Sequence, residues 1–95
     1  MAQCHIARMK IDELEKLSGA ELISAARAFA VDADGSTLWS WGNPAGYFAD
    51  RASRMDRATR GYERFYTGRE VNAVRAVATK IDAAWQAQKA ERRAA

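Results

Sequence analysis

Cys4 and His5 are the only thiol and the only imidazole in this 95-residue chain. They are the first residues to test for chemistry. A zinc site needs four ligands, usually thiolate or imidazole, so this pair would require carboxylates and a second chain. Neighbouring side chains diverge on a strand or a helix, so the pair does not form a nucleophile–base dyad either. Asp32-Ala33-Asp34-Gly35 has the cadence of a calcium loop. With Gly35 at the sixth position, Ala30 falls at the first and Trp41 at the twelfth, so the first ligand and the bidentate Glu are missing. Gly42-Asn43-Pro44-Ala45-Gly46 opens a helix but lacks the Lys and the spacing of a phosphate loop. The reading is of a non-enzyme with no cofactor and no metal.

Arginine supplies the strongest signal. Arg51, Arg54, Arg57, Arg60 and Arg64 stand within fourteen residues, on a stretch with helical apolar spacing. A guanidinium makes planar bidentate contacts with carboxylates and phosphates. The first fifty residues carry four basic and seven acidic side chains, the remainder eleven and five, so the net +3 is a −3 half joined to a +6 half. A basic half favours an acidic partner. Arg, Tyr and Trp are also the residue types that dominate interface hot spots. The candidate contact set is therefore Arg54, Arg57, Arg60, Arg64 and Arg69, with Trp39 and Trp41. Charge runs of this kind also form plain solvated faces, and Asp50–Arg54 and Asp56–Arg60 have the i,i+4 spacing of local pairs.

Length bounds the rest. Ninety-five residues make one domain, 1–95, with a thin core. Ala dominates the apolar half, so a short list of large side chains must hold the fold at about 1.5–3 kcal/mol each when buried. A single Cys excludes an internal disulfide and suits a reducing compartment. With no signal-like leader and no run of about 20 apolar residues, the expectation is a soluble, cytoplasmic protein that does not engage a membrane.

The elements that would position these groups are mostly helical. Asp12 with Glu15 predicts a capping box and a short helix over 12–17. Ser18 with Glu21 predicts a second helix over 18–31, whose Leu22, Ile23, Ala26, Phe29 and Ala30 share a face. Asp32 to Gly35 reads as a turn. Thr37, Trp39 and Trp41 alternate with Leu38 and Ser40, which predicts an extended stretch over 36–42, paired with 3–9 if paired at all. A core this short of large side chains is expected to take at least one of Trp39 and Trp41.

Asn43 as cap and Pro44 at the first helical position predict a helix from Asn43 to Tyr66. Tyr47, Phe48, Met55, Ala58, Tyr62, Phe65 and Tyr66 form its apolar arc, and Gly61 marks a kink or a close crossing. Arg51 falls within the arc, so it must snorkel, stack on an aromatic or meet an acid. Thr67 with Glu70 predicts a last helix to about Lys89, striped by Val71, Val74, Val77, Ala78, Ile81, Ala84 and Trp85. It forms an antiparallel hairpin with the arginine helix.

The sequence thus reads as mainly α, a bundle of three to four helices with at most a minor two-stranded element over 3–9 and 36–42. Its function reads as protein binding against a partner with an acidic surface, as an inhibitor or adaptor of a larger complex. The alternative is a nucleic-acid-binding protein that meets phosphates with the arginine helix and bases with the tryptophans. The split of charge also permits self-association into a homo-oligomer.

Overall fold

Val71, Val74, Val77, Ala78 and Ile81 recur at helical spacing, and all five are buried. Each valine costs a few tenths of a kcal/mol in helix propensity. Burial returns about 1.5–3 kcal/mol per large side chain, so packing decides the element. In the computed structural model, which describes residues 9–59 and 66–94, this stripe faces the rest of a helical bundle. Helix α1 spans Ile11–Glu15, α2 Gly19–Asp34, α3 Ala45–Thr59 and α4 Gly68–Ala94. A 3-10 turn, Thr37–Ser40, lies between α2 and α3. There is no strand among the described residues.

α3 presents Ala45, Phe48, Ala52 and Met55 to the α4 stripe. The two helices run antiparallel. Asn43 Nδ2 donates to Asp82 Oδ1 at 3.0 Å near one end, and Asp56 pairs with Arg75 at 3.6 Å nearer the other. α2 inserts Leu22, Ala26 and Ala30, all fully buried, across this pair. Its Phe29 ring packs 5.3 Å from Phe48 and 6.3 Å from Tyr47. α1 closes one side with Leu14, also fully buried. Lys80 Nζ on α4 donates to the Glu15 carbonyl, which ties α1 down.

The helix ends are capped locally. Thr67 and Glu70 form the predicted reciprocal box: Thr67 N donates to Glu70 Oε1 at 2.9 Å, and Glu70 N to Thr67 Oγ1 at 3.1 Å. Ala45 N donates to Asn43 Oδ1 at 3.0 Å, and Pro44 is buried beneath. Gly35 ends α2 in the left-handed region at φ 72°, donating its N–H to the Val31 carbonyl.

Several expectations change. α1 is capped at Lys10, whose N–H donates to Glu13 Oε1, so Asp12 lies inside the first turn and is not the cap. Ser18 does precede α2, but its hydroxyl makes no capping bond. α2 runs three residues past 31, to Asp34, and α4 runs past Lys89 to Ala94. Tyr66 sits in a bend with its ring exposed and is not part of a buried arc. Gly61, Tyr62 and Phe65 of that arc lie outside the described residues, as do Cys4, His5 and all but Met9 of the proposed 3–9 strand.

The extended reading of 36–42 is overturned. Ser36 Oγ accepts from Leu38 N at 3.3 Å, and Ser40 Oγ donates to the Thr37 carbonyl at 2.6 Å. These side-chain bonds satisfy the backbone within one turn, and among the described residues no strand competes for it.

Candidate binding surfaces

The 3-10 turn is held in place by groups that come from α2. Asp34 Oδ2 accepts from Trp39 Nε1 at 2.9 Å. Trp39 is half-buried against the core. It lies 6.1 Å from the Tyr47 ring and close enough to Gly46 that a Cβ there would sit 3.4 Å from Cη2. Arg27 clamps the far end of the turn. Its Nε donates to the Gly42 carbonyl at 3.1 Å and its Nη2 to the Trp41 carbonyl at 3.3 Å. Its guanidinium also lies 5.3 Å over the Trp85 ring of α4. Arg27 is thereby spent on structure.

This anchored turn leaves two large apolar side chains outside. Leu38 is 60% exposed and Trp41 69% exposed. Leu38 lies within the turn, and Trp41 follows its last residue at φ −135°, outside the 3-10 geometry. Trp39 and Trp41 therefore separate: one packs inward, the other projects. Leu38 was not among the sequence candidates. Beside the turn runs an open groove lined by Ser24, Arg27, Ala28, Val31, Asp32 and Ser40.

The arginine face is thinner than its composition implies. Arg54 Nε bonds Asp50 at 3.0 Å. Asp56 crosses to Arg75 on α4. Arg57 is exposed and makes no hydrogen bond or ion pair among the described residues. Arg69 is exposed in the first turn of α4. Arg60 and Arg64 lie outside the described residues. Arg51 takes the inward route: Nη1 donates to the Tyr47 hydroxyl at 2.8 Å, and the guanidinium lies 5.2 Å over Phe29.

Arg57 and Trp41 do not belong to one patch. Ala45 begins α3 beside the tryptophan turn, and the twelve residues from there to Arg57 rise about 18 Å. Among the described residues, no cluster of three His, Cys, Asp or Glu side chains is arranged to hold a metal ion. No described helix is long and apolar enough to cross a membrane. No protein-family model matches the chain, and no curated protein or solved structure is similar enough to register as a match.

Proposed function

We propose that this chain is a non-enzymatic protein-binding module, an inhibitor or adaptor, whose principal contact is the turn carrying Leu38 and Trp41. One observation carries the reading. In a domain with few large side chains, two are left exposed at a turn fixed by Asp34 and Arg27. An aromatic anchor on a pre-organised backbone loses little entropy when it docks. Arg57 and Arg69 offer a second contact, suited to an acidic surface on the partner. The reading assumes a cytoplasmic setting, as a lone Cys permits.

The nucleic-acid reading rests on fewer groups. Arg54 already has a carboxylate partner, which leaves Arg57 and Arg69 as the free cations of the candidate set among its described members. Two phosphate contacts give a log–log salt slope of about −2, and four, counting Arg60 and Arg64, about −4. That is well below the six to ten contacts of strong non-specific binders.

The test is quantitative affinity capture from the native host, with and without nuclease, comparing wild type, Leu38→Ser/Trp41→Ser and Arg57→Glu/Arg69→Glu. The expected result is that the turn variant loses proteins that wild type retains, while its circular dichroism is unchanged. Equal recovery by the turn variant, or recovery that vanishes with nuclease, overturns the reading.

A further inference from the structure

The charge around the exposed turn runs against the net charge of the chain. α2 ends in Asp32 and Asp34 with no basic residue in its last turn. A helix C-terminus already carries about half a negative charge, so two carboxylates there are unfavourably placed. Asp34 is engaged by Trp39. Asp32 is exposed on the wall of the groove that Ser40 of the turn also lines. Glu21 lies on the same outward stripe of α2, eleven residues or about 17 Å earlier. Between the two acids the stripe holds Ser24, Ala28 and Val31, small or apolar side chains that let another backbone approach closely. The one cation of α2, Arg27, lines the same groove and donates to the Gly42 and Trp41 carbonyls, but its single charge is outweighed by Asp32, Asp34 and the negative helix end.

We infer that the segment seated on this surface is a cationic amphipathic peptide of a partner protein. Its aliphatic side chains cover Leu38, Trp41 and Val31, and its Lys or Arg side chains meet Asp32 and Glu21. A second copy docked turn to turn would set Asp32 against Asp32 and is disfavoured. This inference rests on the proposed role of the turn and names the chemistry of what the turn takes.

The test uses synthetic peptides: an amphipathic Leu/Lys helix, its Leu/Glu counterpart and a leucine-free oligolysine. Binding is followed by the fluorescence anisotropy of labelled peptide and, in chains that keep Trp41, by its protection from acrylamide. The Leu/Lys peptide is expected to bind at least about tenfold tighter than either control. Trp41→Ala should weaken it by about tenfold, the loss of one interface anchor. Leu38→Ser should weaken it too, and Glu21→Lys/Asp32→Lys should remove the preference over the Leu/Glu peptide. Stronger Trp41-dependent binding of the Leu/Glu peptide overturns the inference and leaves the turn as the contact site. Failure of every peptide, while the turn variant still loses partners from lysate, does the same. Failure of both experiments overturns both readings.

Discussion

The Arg51 guanidinium lies 5.2 Å over the Phe29 ring, joining α3 to α2 through a charge on the packed side of the bundle. The same side chain donates to the Tyr47 hydroxyl. An arginine there is tolerated because its planar face stacks while its edge keeps a hydrogen bond. Arg51→Ala is expected to cost about 1–2 kcal/mol, from a cation–π contact of about 0.5–1 and a hydrogen bond of about 1. Arg51→Lys should fall between, since it keeps charge without the plane. A double-mutant cycle with Phe29→Leu in urea should give a coupling of about 0.5–1 kcal/mol. A coupling of zero would mean that the stacked geometry carries no energy.

Asn43 does two things with one amide. Its Oδ1 caps α3 through Ala45 N, and its Nδ2 reaches Asp82 on α4. Asn43→Ala removes both and should destabilise by about 1–2 kcal/mol. Asn43→Ser keeps an N-cap oxygen but is too short for Asp82, so it should cost about 0.5–1 kcal/mol. Equal losses in the two variants would show that the Asp82 bond is idle.

These cases mark where sequence reasoning succeeds and stops. The Thr67–Glu70 box, the Asn43-Pro44 start and the stripe from Val71 to Ile81 are legible because their causes lie within a turn or two of the residue itself. Arg51 was visibly misplaced in its apolar arc, but Phe29, which resolves the conflict, stands on another helix. The turn at Thr37–Ser40 is hidden in the sequence because Thr37, Trp39 and Trp41 imitate strand alternation. Beside the local Ser36 and Ser40 bonds, what holds it is a bond from Trp39 back to Asp34 and a clamp from Arg27, fourteen and fifteen residues away, to the Trp41 and Gly42 carbonyls. Periodicity carries no information about either. The Asp50–Arg54 pair was legible at i,i+4. The Asp56–Arg75 pair across two helices was not.

Two glycines should respond to alanine with opposite signs. Gly35 sits at φ 72° with nothing within 4 Å of a built Cβ, so its constraint is backbone conformation and not space. Gly35→Ala should destabilise by about 1 kcal/mol. Gly68 begins α4 outside the left-handed region, also with open space around a built Cβ. Gly68→Ala should stabilise by about 0.4–1 kcal/mol, chiefly by restricting the unfolded chain. Thermal melts of the two variants, shifted in opposite directions, would bear this out. Shifts of the same sign would not.

The three tryptophans divide by exposure, and fluorescence can resolve them without any partner. Trp85 is half-buried beneath Arg27, and Trp39 is half-buried against Tyr47 with its indole N–H bonded to Asp34. Trp41 projects into solvent. Trp41→Phe should therefore remove the most red-shifted emission and most of the fast acrylamide quenching, with a stability change within about 0.5 kcal/mol, as for an exposed surface position. Trp39→Phe should leave quenching nearly unchanged. It removes the indole donor to exposed Asp34 and part of the packing against Tyr47, and should cost about 1 kcal/mol. The pairing of readouts matters because a strand over 36–42 would place Trp39 and Trp41 on one face and give both variants the same profile. Only a turn that packs one indole and extends the other separates the quenching effect from the stability effect.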